Sequence, residues 1–178
     1  MLSILVSKQT DLQNLPTNID FFIIFENGFN QVVVIPERTK ELRLNSVYNI
    51  KLNFPEGITH LKLGEGYNHK LELPNSIRYL EISRGYKHQL DNLPMGLTHL
   101  KFSGDFRYKK FPTTLTHLEL GSNSSGCLNN LPNGLEKLII GNYFFGNVNN
   151  LPCGLKLIKC SRFLKIDKIP FNCELVIS

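Results

Sequence analysis

Three histidines of the chain follow a threonine, in Thr59-His60, Thr98-His99 and Thr116-His117. Imidazoles ligate metals and move protons near neutral pH, so these residues have the widest chemical reach in the sequence. His99 and His117, with Glu119 two residues on, could share a metal ion. A closed coordination sphere needs ligands that converge on one point. Nothing in the spacing supplies that convergence, and no metal or cofactor is expected. The sequence also holds no G-x-S-x-G elbow, no phosphate-cradling G-x-x-x-x-G-K and no H-E-x-x-H. Cys127, Cys153, Cys160 and Cys173 form no CxxC pair and no zinc-ligand pattern. The glycine- and serine-rich run Gly121-Ser122-Asn123-Ser124-Ser125-Gly126 reads as a loosened outer loop. No enzyme is expected.

What positions the histidines is a repeat. Nine prolines (Pro16, Pro36, Pro55, Pro74, Pro94, Pro112, Pro132, Pro152 and Pro170) stand at intervals of 18 to 20 residues, each after a Leu, Ile or Phe. Proline has a fixed φ and no amide hydrogen, so its return at one phase means one backbone turn used again and again. Three residues after the prolines come Ile19, Thr39, Ile58, Ile77, Leu97, Leu115, Leu135, Leu155 and Cys173. Six after come Phe22, Leu42, Leu61, Leu80, Leu100, Leu118, Leu138, Ile158 and Val176. Eight after come Ile24, Leu44, Leu63, Ile82, Phe102, Leu120, Ile140, Cys160 and Ser178. This L-x-x-L-x-L series is the strand segment of a leucine-rich repeat, and its last two positions point inward from one short β-strand. Leu2 and Ile4 fit the same positions in a partial repeat over residues 1–14, ahead of repeats over 15–178.

Two further apolar columns complete each coil. About twelve residues after the proline stand Phe29, Tyr48, Tyr67, Tyr86, Phe106 and Phe144, with Phe163 one place early and Ser124 breaking the series. Three to five residues before each proline stand Leu12, Val32, Ile50 or Leu52, Leu71, Leu90, Tyr108, Leu128, Val148 and Ile166. The expected fold is a single leucine-rich-repeat solenoid over 1–178. It has nine to ten short parallel strands on its concave face, extended or 3₁₀ segments on the convex face, and little α-helix.

The residues between the inward positions face the concave side: Phe21/Ile23, Glu41/Arg43, His60/Lys62, Tyr79/Glu81, His99/Lys101, His117/Glu119, Lys137/Ile139, Leu157/Lys159 and Leu175/Ile177. Strands lie about 4.8 Å apart, so one column stacks His60, Tyr79, His99 and His117. The other alternates Lys62, Glu81, Lys101 and Glu119.

The stretches Gly28-Phe29-Asn30-Gln31-Val32, Gly66-Tyr67-Asn68-His69-Lys70-Leu71 and Gly85-Tyr86-Lys87-His88-Gln89-Leu90 resemble the FNIP repeat, as does the spacing to the next Leu-Pro. This family of short leucine-rich repeats is common in social amoebae and in the large DNA viruses that infect amoebae. The aromatic-Asn pair persists at Phe29-Asn30, Tyr48-Asn49 and Tyr67-Asn68 and then lapses, so a stacked asparagine ladder is expected only in the N-terminal half. Family members often carry an N-terminal F-box that couples to ubiquitin ligases. About a dozen residues precede the first repeat, whereas an F-box needs several tens, so that role is not expected of this chain.

Twenty basic residues interleave with fifteen acidic ones, for a net charge of +5, with no basic block. No apolar run approaches the roughly 18–20 residues of a membrane-spanning helix. A soluble, cytoplasmic protein is expected, with no membrane contact and its cysteines reduced. The expected function is a non-enzymatic scaffold that binds an unidentified protein through Glu41, Arg43, His60, Lys62, Tyr79, Glu81, His99, Lys101, His117, Glu119 and Lys137. A nucleic-acid or polyanion binder is the alternative, though the mixed charge speaks against nucleic acid. A second alternative is a self-assembling element, a homodimer paired through open terminal strands.

Overall fold

In a computed structural model, which describes residues 1–90, 92–104, 110–122 and 125–177, the chain forms a parallel β-solenoid of about nine turns. Its strands are β1 (Leu2–Val6), β2 (Phe21–Phe25), β3 (Thr39–Arg43), β4 (His60–Leu63), β5 (Tyr79–Ile82), β6 (His99–Phe102), β7 (His117–Leu120), β8 (Ser125–Cys127), β9 (Lys137–Ile140), β10 (Phe145–Asn147), β11 (Leu157–Cys160) and β12 (Glu174–Ile177). Ten of them form one sheet in the order β1-β2-β3-β4-β5-β6-β7-β9-β11-β12, so strand order follows chain order. One 3₁₀ turn, Gln9–Leu12, is the only helical element among the described residues.

The proline sets each strand's start. Its carbonyl accepts the amide of the residue three places on, from Pro36 O to Thr39 N (3.0 Å) through Pro94 O to Leu97 N (3.0 Å) to Pro170 O and Cys173 N (3.2 Å). The next amide reaches back to the coil before, as Arg78 N does to Thr59 O (2.8 Å) and Lys156 N to Glu136 O (2.8 Å). Leu61, Leu80, Leu100, Leu118, Leu138 and Ile158 then stack with their side chains buried, beside a second buried column of Leu63, Ile82, Phe102, Leu120, Ile140 and Cys160. Ile58, Ile77, Leu97, Leu115, Leu135 and Leu155 close the core below the strands.

Two strands, β2 and β12, depart from the expected phase by one residue. In β2 the buried residues are Phe21, Ile23 and Phe25, which lie opposite Leu2, Ile4 and Val6 of β1. Phe22 and Ile24 therefore take the solvent face expected for Phe21 and Ile23, and an irregularity between Phe21 and Phe22 restores register with β3. In β12, Leu175 lies opposite Ile158 and Ile177 opposite Cys160. The solvent-face pair there is Glu174 and Val176, in place of Leu175 and Ile177. A side-chain period of two makes any one-residue slip a change of face.

The outer columns need smaller corrections. Phe29, Tyr48, Tyr67 and Tyr86 are buried, whereas Phe163 is exposed and Leu164 packs in its stead; Val32 is likewise exposed, with Val33 and Ile35 inside. Ser125 and Gly126, expected in a loose loop, belong to β8, which pairs with β10 as a small second sheet. Phe106, Tyr108, Asn123, Ser124 and Ser178, placed in the repeat by sequence, lie outside the described residues, and so does the side chain of Cys127.

Asparagines tie the N-terminal coils together. The amides of Asn49, Asn68 and Lys87 donate to Asn30 Oδ1 (3.2 Å), Asn49 Oδ1 (3.0 Å) and Asn68 Oδ1 (2.9 Å). This series of rungs ends at Lys87, which brings no carboxamide. Asn45, unremarked in the sequence, is buried and satisfies four backbone groups. Its Nδ2 donates to Glu26 O (2.5 Å) and Phe29 O (2.8 Å), and its Oδ1 accepts from Val47 N and Tyr48 N (2.9 Å each).

Removal of the Asn45 side chain leaves buried donors and acceptors unpaired, so Asn45→Ala should cost roughly 3 kcal/mol of stability. Asn68→Ala, on an exposed rung that water can replace, should cost about 1 kcal/mol or less. Urea unfolding of the two variants checks the ranking, and equal losses would contradict it.

Candidate functional site

The centre of the sheet's solvent face is built from alternate residues of β3 to β7 and of β9. Strand register aligns Glu41, His60, Tyr79, His99, His117 and Lys137 in one row and Arg43, Lys62, Glu81, Lys101 and Glu119 in the other. All eleven residues singled out in the sequence thus share one face. The rings of the first row lie roughly parallel. His60 and Tyr79 have centroids 5.8 Å apart, Tyr79 and His99 6.1 Å, and His99 and His117 4.1 Å with an interplanar angle of 13°.

The threonine before each histidine fixes its ring. Thr59 Oγ1 lies 3.1 Å from Lys40 O and 2.9 Å from His60 Nδ1. Thr98 Oγ1 lies 3.0 Å from Arg78 O and 2.9 Å from His99 Nδ1. Thr116 Oγ1 lies 3.1 Å from Thr98 O and 2.9 Å from His117 Nδ1. A hydroxyl has one proton, and a carbonyl can only accept. Each threonine therefore donates to the carbonyl of the coil before it and accepts from Nδ1–H. The neutral ring is the Nδ1–H tautomer, which leaves Nε2 with a bare lone pair. His69 and His88, on the outer side, are the reverse: their Nε2 atoms lie 3.0 Å from Asn49 O and Asn68 O and must donate.

The second row neutralises itself. Lys62 Nζ meets Glu81 Oε1 at 3.2 Å, Lys101 Nζ lies 3.8 Å from Glu81 Oε1 and 3.0 Å from Glu119 Oε1, and Tyr79 donates its hydroxyl to Glu81 Oε2 at 3.2 Å. Hydrogen bonding to Glu119 pushes the Lys101 ammonium above its ordinary range. Burial, then the Glu81 charge, raises the Tyr79 phenol, which keeps it a donor. At the N-terminal margin Arg43 chelates Glu41 (2.7 and 2.9 Å) and lies 4.7 Å over the ring of Phe22. A groove of about 460 Å³ opens there, lined by Glu41, Arg43, His60, Leu61, Lys62, Tyr79 and Glu81.

Among the described residues no group of three or more His, Cys, Asp or Glu side chains could hold a metal ion. His99 and His117 are stacked face to face, so their lone pairs run side by side. Cys160 is buried as an apolar residue, and no disulfide joins Cys153, Cys160 or Cys173. Sequence reasoning missed the threonine anchors, for which the recurrence of Thr-His was the available signal. It also missed Phe22, hidden by the one-residue slip.

The FNIP Repeat family profile matches residues 48–85 and 67–105, the stretch that carries Tyr79, His99 and Lys101. Among solved structures, the chain is similar to CroV588, a circular leucine-rich-repeat protein of a giant virus. That match has 22% identity and a TM-score of 0.56, and it covers 92% of this chain. The chain spans 34% of that protein's length, so the likeness bears on the fold. No curated protein matches the chain. Among the described residues no helix is long and apolar enough to cross a membrane.

Burial, followed by the charges of His117, His60 and Lys137, lowers the affinity of His99 for a proton below its ordinary value of 6.5. The unfolded chain then binds the proton more readily, so stability should fall as pH drops through about 6.5 toward the depressed folded value. His99→Gln should flatten the dependence of the urea midpoint between about pH 7 and pH 5. An unchanged slope would remove His99 as its cause.

Proposed function

The chain carries FNIP repeats wound into a leucine-rich-repeat solenoid, and from that premise we propose a non-enzymatic scaffold that binds a protein partner through the open face of its sheet. The observation that carries this reading is the ring row from His60 to His117, held in place before any partner arrives. Threonine hydroxyls anchor three of its rings, and the phenol of the fourth is bonded to Glu81. A surface whose rotamers are already fixed loses little entropy on binding. Tyr79 supplies an aromatic anchor of the kind that dominates interface energies, and the Nε2 atoms of His60, His99 and His117 offer acceptors to donors on the partner.

Charge favours a protein over a nucleic acid as the partner. Phosphate backbones are held by uncompensated cations, yet Arg43, Lys62 and Lys101 each already meet a carboxylate. A polyanion would have to break that ladder. Thiols at Cys153, Cys160 and Cys173 fit a reducing compartment such as the cytoplasm.

Affinity capture from amoebal cytosol, with nuclease and chelator controls, tests the reading. Wild-type bait should retain a protein that Tyr79→Ala, His99→Ala, Lys101→Glu bait loses, and neither control should change it. Retention that is nuclease-sensitive and falls steeply with salt would transfer the face to a polyanion. Identical captures by both baits would remove it from function altogether.

A further inference from the structure

We propose that the groove between β3 and β4 receives a tryptophan side chain of the protein partner. The inference rests on the sheet-face reading and names what that face takes hold of. The groove exists because side chains on the two strands turn away from one another. On β3, Arg43 chelates Glu41 (2.7 and 2.9 Å) and packs against Phe22 of β2, 4.7 Å from the ring centre. On β4, His60 stacks on Tyr79 at 5.8 Å and Lys62 reaches Glu81 at 3.2 Å, both partners lying on β5. Among the described residues no side-chain hydrogen bond or ion pair joins Glu41 or Arg43 to His60 or Lys62. The backbones stay paired, Glu41 opposite His60 and Arg43 opposite Lys62, so the gap lies above the sheet, with Leu61 at its base. Its volume of about 460 Å³ falls in the range of small-ligand sites, roughly 300–1,000 Å³.

Charge and hydrogen bonding select the occupant. The carboxylates of Glu41 and Glu81 are each matched by a cation, Arg43 and Lys62. A charged side chain would have to break one of these pairs to find a counter-charge, whereas a neutral one leaves both intact. Thr59 takes up the Nδ1 atom of His60, and the Nε2 lone pair calls for a donor. The guanidinium of Arg43, backed by Phe22 on the β2 side, offers a plane on which an aromatic ring stacks. Tryptophan joins a flat apolar ring to one N–H that donates and cannot accept. It is also enriched at the energetic centres of interfaces. Phenylalanine fills the same space and leaves the lone pair unmet. A tyrosine hydroxyl brings lone pairs of its own beside two carboxylates.

Titration of an acetylated, amidated Gly-Gly-Trp-Gly-Gly peptide with the full chain tests the proposal. The chain contains no tryptophan, so indole emission reports the peptide alone. Emission should change saturably at millimolar concentration, and the same peptide with phenylalanine in place of tryptophan should compete roughly fivefold less well. Arg43→Met and His60→Leu should each weaken binding several-fold. Both side chains are exposed, so the urea midpoints of these variants should stay near that of wild type and separate lost binding from lost folding. No saturable change, equal binding by either variant, or equal competition by the phenylalanine peptide would overturn the proposal. Binding of adenosine without binding of the tryptophan peptide would overturn it too and give the groove to a nucleobase. Partner capture that depends on Tyr79, His99 and Lys101 while the peptide fails to bind would leave the scaffold standing and remove only its tryptophan.

Discussion

Each coil of this molecule obtains its strand hydrogen bonds from the coils above and below it. The large sheet joins coil to coil, from Leu61 opposite Leu80 to Leu138 opposite Ile158, and pairing of this kind is what fixes the repeat. Coils differ by a residue or two in their outer path and return to the same strand register. Intervals of 18 to 20 residues between prolines show where that tolerance lies. The tolerance ends at the turn leaving the strand, where a Cβ on Gly85 would stand 1.8 Å from the carbonyl oxygen of Glu65 and one on Gly64 1.7 Å from that of Asn45. Backbone meets backbone at those points, and only the smallest residue fits.

This dependence explains which parts of the fold were legible in the sequence. From β3 to β7, a single parity of apolar residues, such as His-Leu-Lys-Leu or Tyr-Leu-Glu-Ile, admits one register. Phe21-Phe22-Ile23-Ile24-Phe25 and Leu175-Val176-Ile177 are apolar at both parities. Hydrophobic pattern cannot choose a face for them, and contact with the neighbouring strands decides it. Asn45 was illegible for another reason: it occurs once, so no periodicity announces it, and its role lies in four backbone partners on two chain segments.

Of the candidate site, the rows themselves followed from the repeat, because neighbouring strands carry equivalent positions side by side. What the sequence did not display is the order imposed on them. The threonine hydroxyl links a carbonyl of one coil to an imidazole of the next, so the same contact that staples the stack sets the tautomer of the ring. His69 and His88 show that the tautomer belongs to the environment and not to the residue. Facing a carbonyl through Nε2, they hold the opposite proton.

The sheet face has a polar centre and apolar margins, the inverse of an ordinary interface, in which an apolar core is ringed by polar groups. Leu5, Phe22 and Ile24 occupy the first margin; Ile139, Leu157 and Val176 occupy the last. The self-paired ladder between them contributes register and selectivity more than affinity, since ion pairs this exposed are worth little each. The two margins are separated by the whole of the ladder, so a partner that touched one margin alone would cover three apolar side chains and leave the polar centre in water.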